Sequence, residues 1–441
     1  MSKPLFIVTA PVATRSGYGS HSRDIIHSLL DIGKYDVKTF PVRWGNTPQN
    51  ALDESDPKDR RIIETIIRDP QREITRQPDV HLHLVVPNEF IPNAKFNIGM
   101  TAGLETTHIP KEWIEGCNRM NLILVSSEHA KMSMLGSELK NDQTGHVLKV
   151  QSPVEVLFEG VDTNIYKPTK DYNPELVDLF KNKVKDNWNF LFVGHWLPGN
   201  LGQDRKDVGG LIKTFMETFK NKNGTGLILK TCGVSPSVMD KYEIHEKIKA
   251  IKNTVDGKVP NVYLLHGDFT DVEMNEIYNH PKVKANITFT HGEGFGRPLL
   301  EATLSEKPVI ASNWSGHLDF LKGPNSMLIP GEIGAVPKGG IQDPIWQEGM
   351  GWFNVNPGAA MDAMKTMRKD YRSWKLKAKR LAMVNKKLFS HTAMTKKLEA
   401  LLDQYLPTFT ETANINLPNL TSPTPTQAPV APQLPKLQRA Q

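Results

Sequence analysis

Continuous apolar runs, rather than alternating ones, punctuate the first part of the chain: Leu5 to Ala10, Val80 to Val86, Phe96 to Ala102 and Leu122 to Val125, with helical patterns between several of them. Strands apolar on both faces are covered on both faces, the condition of a parallel sheet layered between helices. The first run ends in a loop with Gly17 and Gly19. Ile25, Ile26, Leu29 and Leu30 then recur at helical spacing, so this is a strand, loop and helix unit. Lys3 followed by PLFIVTAPVA also has the outline of a short secretory signal, a competing reading of the same residues.

Residues 159 to 188 carry two prolines and many polar residues and break this rhythm. It restarts at NFLFVGHW (189 to 196), GLILKTCG (226 to 233), VYLLHGD (262 to 268), ANITFTHG (285 to 292), PVIAS (308 to 312) and SMLIPG (326 to 331), with room between the runs for crossover helices. The expected organisation is therefore α/β: a Rossmann-like doubly wound domain over 1–165, a connection over 166–188 and a second such domain over 189–357. Long helical stretches follow over 358–406. From Pro407 onward seven of thirty-five residues are proline and most of the rest are Thr, Asn, Gln or Ala, so 407–441 reads as a disordered tail.

Composition adds exclusions. A chain of 441 residues is long for one core, which agrees with two domains. No apolar run approaches the roughly 18 residues of a membrane helix. Two cysteines, Cys117 and Cys232, offer neither a disulfide framework nor a CxxC site and fit a reducing, cytoplasmic compartment. The formal charge of +6 is unevenly placed: residues 365 to 397 hold twelve Lys and Arg against one acidic residue, leaving the remainder mildly acidic. Interleaved with Tyr371, Trp374 and Phe389, this segment could neutralise nucleic-acid phosphates, or be a solvated helix face with its aromatics packed inward. It lacks the broad run of large apolar residues that a membrane-surface helix would expose.

The stretch ITFTHGEGFGRPLLEATLSEKPVIAS, 287 to 312, carries the most chemistry. It reads as a buried strand, a turn through Gly292, Gly294 and Gly296, and a helix with Pro298 in its first turn. Unpaired N–H groups at such a helix start, with the dipole behind them, suit a phosphate. Glu293 precedes the helix and Glu301 lies about a turn inside it, so two carboxylates are offered to different parts of one ligand. Carboxylates accept paired hydrogen bonds from vicinal diols, as in sugars and ribose.

EGFGRPLLEATLSEKPVIAS resembles the signature of retaining, nucleotide-sugar-dependent glycosyltransferases of family 4, which have the GT-B fold. Glu293 and Glu301 match that family's two glutamates with seven residues between them. The likeness is good over 185 to 325 and weaker over 1 to 165, and in general style it extends to virus-encoded members. It implies two Rossmann-like domains facing a cleft, with the last helices packing back toward the N-terminal domain and carrying the basic segment near the cleft or beside it. Glu301 would contact the nucleotide ribose. Glu293 and the backbone of Gly294, Phe295 and Gly296 would hold the donor sugar. It further implies a cationic clamp on the diphosphate, where VGHWLPGNLGQDRKDVGGLIKTF places Lys206 at the family lysine. The usual arginine is His195 here, and Arg205 is its substitute. Arg205 and Lys206 are expected to open a helix with Leu211, Ile212 and Phe215 on one face.

The Gly17, Tyr18, Gly19 turn corresponds to the family's glycine-rich loop facing the cleft. Ser22 stands where a dinucleotide fingerprint needs its third glycine, which weakens an NAD reading. Glu105 and His108 follow a buried strand, and His108 is a candidate catalytic group beside Lys206 and Glu293. His81 and His83 share a strand face without a third ligand spaced for a metal. No two aspartates stand two apart, so the DxD metal site of the other major glycosyltransferase fold is missing, in keeping with a metal-independent enzyme without a cofactor. The implied donor is a nucleoside diphosphate sugar, UDP-linked, and the reaction hexosyl transfer to a hydroxyl of a glycan, a lipid or a modified base in DNA. Acceptor contacts are expected from loops such as RWGNTPQNALDESDPKDRR. The competing reading is a transferase-like scaffold that binds nucleic acid.

Overall fold

The computed structural model describes residues 3–140, 143–197, 199, 201–233 and 236–409. The first sheet contains β1 (Leu5–Ala10), β2 (Asp36–Pro41), β3 (Val80–Leu84), β4 (Phe96–Thr101) and β5 (Leu122–Val125). A small antiparallel hairpin, β6 (Glu138–Lys140) and β7 (Val147–Lys149), leads to its last strand, β8 (Val154–Val156). All its pairings are parallel, in the order β2-β1-β3-β4-β5-β8.

The second sheet contains β9 (Asn189–Val193), β10 (Gly226–Lys230), β11 (Val262–Leu265), β12 (Val283–Ile287), β13 (Val309–Ser312) and β14 (Met327–Ile329). Its order is β11-β10-β9-β12-β13-β14, again all parallel. That is the Rossmann order, and the first sheet has one strand fewer on the β2 side. Each sheet reverses direction beside its first strand, between β1 and β3 and between β9 and β12, where doubly wound sheets open a ligand crevice at their carboxyl ends. An antiparallel ribbon, β15 (Gly331–Ala335) and β16 (Gly351–Val355), follows the second sheet.

Burial explains the uninterrupted apolar runs. Phe190 and Phe192 of β9 are fully enclosed, together with Leu211, Ile212, Phe215 and Phe219 of the helix Val208–Phe219. Secretory-signal geometry does not describe the N-terminus, where Leu5–Ala10 is a central strand paired on both sides. The expected connection contains a helix of its own, Pro174–Lys183, capped by Asn173 and anchored by Leu176 and Phe180. Its short i, i+4 apolar pair is too sparse to stand out among polar residues. The long C-terminal helical stretch is broken at Asp370 into Pro357–Lys369 and Tyr371–Leu388, and His391–Tyr405 follows.

The outgoing and returning chains cross at one point. Val161 N–H donates to the Phe389 carbonyl at 3.0 Å, and His391 N–H donates to the Val161 carbonyl at 2.9 Å. A methyl group on Gly160 would stand 2.8 Å from His391 Cα, so the crossing needs glycine. The final helix then lies on the helix Gly17–Ile32, with Ser28 and Thr395 sharing a 2.8 Å hydrogen bond. Described residues through Pro407 form one compact unit. The segment expected to be a disordered tail lies outside the described residues from 410 onward. Among the described residues no helix is long and apolar enough to cross a membrane.

The basic segment is not gathered at the cleft. Its first part packs beside Trp188 and Lys284, at the amino ends of β9 and β12, opposite the crevice. Only its last residues reach the first sheet's side, where Lys397 sits 5.6 Å from the Phe158 ring. The break at Asp370 and the crossing at Gly160 route the chain this way.

Candidate active site

A cavity of about 500 Å³ lies between the carboxyl ends of the two sheets, at both switch points. Its floor is the glycine turn after β12. Gly296 adopts φ 92° and starts the helix Arg297–Thr303, with Pro298 in the first turn, as the sequence predicts. The turn is wedged against the first sheet's loops. A methyl group at Gly294 would stand 1.7 Å from the Ala102 carbonyl oxygen, and one at Gly292 would stand 2.1 Å from that of Glu105. Ser126 and Ser127 hydroxyls donate to the Gly294 carbonyl at 3.1 and 2.6 Å. Gly294→Ala is therefore expected to push the two halves apart and cost about 3 kcal/mol or more, read by chemical denaturation.

Arg205 and Lys206 do not open a helix. They sit in the turn before Val208–Phe219, because Asp207, at φ 45°, caps that helix through the Gly210 N–H. The turn aims both cations at Glu293: Lys206 Nζ donates to Oε1 at 2.5 Å and Arg205 Nη1 to Oε2 at 3.3 Å. Arg205 also donates to the Gly292 carbonyl at 2.8 Å and pairs with Glu105 at 3.6 Å. Burial alone would raise the Glu293 carboxyl, but Lys206 and Arg205 hold it down to about 2. Burial brings Lys206 below an ordinary lysine, with Glu293 opposing and Arg205 assisting. The two desolvated cations face Glu293 and, on the Arg205 side, Glu105, whose carboxyl burial raises above the ordinary range; an incoming anion would compete with these carboxylates for the same two cations.

Glu301 lies on the same wall, held by Arg297 Nε at 3.0 Å and by the Tyr278 hydroxyl at 3.4 Å. Arg297 also pairs with Asp24 of Gly17–Ile32, so one guanidinium joins the two halves. Because that charge is shared, burial prevails and pushes Glu301 up to about 7. Glu159 faces the cavity nearby, and its burial among Asp24, Glu301 and Glu293 pushes it up to about 8, despite Arg297.

Glu159 thus keeps a proton in the folded state that the unfolded chain releases above its ordinary value of 4.5. Stability should fall as pH rises from there to about 8 and level off beyond it. Glu159→Gln removes this slope. The variant should match the parent below the lower limit and exceed it above pH 8 by on the order of 5 kcal/mol in denaturation at each pH.

The remaining predicted residues divide. Gly17 lines the cavity with open space above it, whereas Gly19 packs beneath Thr14, where a methyl group would meet the carbonyl oxygen at 2.2 Å. His195 lines the cavity and shares a 2.9 Å hydrogen bond through Nδ1 with the Gly233 carbonyl. Phe295 touches the cavity, yet its side chain is buried against Phe320 and Phe389, leaving its backbone as the ligand-facing part. His108 does not line the cavity; it pairs with the Thr107 hydroxyl at 3.0 Å, and Glu105 is the group that its loop presents. His81 and His83 are occupied by Thr9 and the Ile91 N–H, and among the described residues no cluster of metal-ligating side chains occurs.

Sequence reasoning missed five contributors. Asp24, Glu159 and Tyr278 are separated widely in sequence from what they touch. Arg297 sits inside the motif but gains its role from Asp24. Trp346, on the loop between β15 and β16, donates to Glu105 at 3.3 Å and stands 5.9 Å from Arg205. Trp44, from the loop expected to meet an acceptor, stacks on Tyr18 at 4.0 Å in the cavity wall.

No family model and no curated protein sequence matches the chain. Solved structures do. HepE from Anabaena, in complex with UDP and glucose, is 15% identical over 91% of this chain and 100% of its own, with a TM-score of 0.56. A glycosyltransferase from Rickettsia africae is 13% identical over 93% of this chain and 100% of its own, with a TM-score of 0.59. Sucrose-phosphate synthase from Thermosynechococcus elongatus is 13% identical over 91% and 98%, also at 0.59. The fold is GT-B.

Proposed function

We propose that the protein is a glycosyltransferase moving a hexosyl unit from a nucleoside diphosphate sugar to an acceptor hydroxyl in the cleft. The observation that carries this reading is the meeting of Arg205, Lys206 and Glu293 at the glycine turn, with Glu301 on the same helix. In the donor complex the diphosphate takes the place of Glu293 beside Lys206 and Arg205. The helix start adds N–H groups that lack intrahelical acceptors. Glu301 exchanges Arg297 and Tyr278 for the ribose diol, and Glu293, released from the cations, turns to the sugar hydroxyls.

As the bond between the anomeric carbon and the phosphate oxygen breaks, negative charge grows on the leaving diphosphate, and the buried cations stabilise it more than the ground state. The acceptor hydroxyl attacks from the same face and passes its proton to the departing phosphate oxygen, so configuration is retained, and no protein nucleophile is assigned. The cations of this chain supply the charge that a DxD-bound metal supplies elsewhere. UDP is the favoured nucleotide, since HepE is described with UDP.

Incubation with a panel of nucleotide sugars tests the reading. A UDP-sugar at about a hundred times its Kd should stabilise the protein by roughly 2.7 kcal/mol. Turnover with DNA carrying hydroxylated bases, with glycans or with lipids then identifies the acceptor, and a chelator should leave it unchanged. Absence of stabilisation by every nucleotide sugar would overturn the proposal.

A further inference from the structure

The helix Tyr371–Leu388 turns an unusual face outward. Leu376 and Met383, 63% and 67% exposed, stand seven residues apart, which on an α-helix places them within about 20° of one another. Val384 and Leu388, 46% and 51% exposed, form a second apolar pair on the flank, about 80° and 120° round the helix from Leu376. Around them stand Arg372, Lys375, Lys379, Arg380, Lys386 and Lys387, all exposed, and the helix has no carboxylate among its residues. Among the described residues only Lys379 of these six has an ion-pair partner, Glu306 at 3.6 Å. At the start of the helix a groove of about 830 Å³ adds Lys284, Arg368 and Lys369 to the basic surface, with Asp370 as the one carboxylate in its lining. The sequence pattern predicts no sizeable exposed apolar surface here. Folding exposes one, because the inward side is already supplied by Ala378, Leu381, Ala382 and Asn385.

We propose that this helix face docks the protein on an anionic lipid bilayer, its cations over the headgroups and Leu376 and Met383 inserted between them. Long-range attraction to anionic lipid and burial of a few apolar side chains are the two contributions an interfacial helix needs. Charge complementarity selects this occupant. A second copy would bring cations against cations. The chain's own residues 410–441 hold one Glu against one Lys and one Arg, so they offer no counter-charge. Duplex nucleic acid would satisfy the cations but leave Leu376 and Met383 without a partner. The neighbouring aromatics are not free to stack on bases, since Lys377 lies 3.8 Å from the Trp374 ring and Arg368 lies 4.9 Å from that of Trp188. The inference is independent of the chemistry proposed for the cleft.

Co-sedimentation of the whole protein with vesicles decides it. Binding is expected to phosphatidylcholine vesicles containing roughly one-third phosphatidylglycerol, weakening with salt, and not to pure phosphatidylcholine. The Leu376→Ser, Met383→Ser double variant should bind about tenfold more weakly, as should Lys379→Gln, Lys386→Gln, both with the parent's melting temperature. Equal binding to the two vesicle types would overturn the proposal. So would undiminished binding by the apolar double variant, or binding to a duplex DNA fragment without binding to anionic vesicles.

Discussion

Replacing Lys206 by alanine is expected to lower turnover of a nucleoside diphosphate sugar by about 10²- to 10³-fold, the usual cost of removing one preorganised charge from a developing anion. The loss should fall on kcat as well as on kcat/KM, because leaving-group charge is largest in the transition state. The Lys206 side chain, 11% exposed, donates to Glu293, so the protein's own contacts set its position. Arg205→Ala should cost less at the chemical step, since Arg205 donates to Glu293 and the Gly292 carbonyl and its charge is shared with Glu105. Steady-state kinetics over a range of donor concentrations checks both. A Lys206→Ala enzyme turning over like its parent would remove the cation from the mechanism.

The second large effect concerns stability. Arg297→Ala should destabilise the protein by about 3–5 kcal/mol, because it strands Asp24 and Glu301 as buried carboxylates without their cation. The attraction is not what is chiefly lost; the uncompensated charges are what cost. Accordingly, adding Asp24→Asn to Arg297→Ala should recover part of the loss, and a double-mutant cycle in chemical denaturation should show strong coupling between the two positions. Additivity would mean that the contact across the cleft contributes little. The same bridge links donor site and domain contact, so Asp24→Asn alone should also alter donor affinity without touching the donor.

Much of the site was legible before folding. The glycine turn, Glu293, Glu301 and Lys206 are local: a strand, a turn needing positive φ at Gly296 and a helix start place them within a short stretch or one loop away. The misreadings have physical causes. The apolar spacing lets Arg205 and Lys206 open the helix, but a left-handed Asp207 starts it later, a conformation that apolar periodicity does not reveal. His108 and Glu105 share a loop, and only the packing of Trp346 and Arg205 against that loop decides which of them faces the cavity. Arg297 goes unremarked in the motif, because its partner Asp24 comes from the other half of the chain.

By itself the sequence determined the layered α/β architecture, the two sheets, the motif and the amount of charge in the C-terminal segment, because these rest on periodicity and on contacts between neighbours in the chain. Tertiary structure alone decided where that charge lies, which apolar side chains remain outside, and which carboxylates share Arg297. Those outcomes depend on how two separately wound sheets meet and on the crossing at Gly160 that returns the last helix to the first. Contacts between residues hundreds of positions apart leave no period in the sequence that produces them.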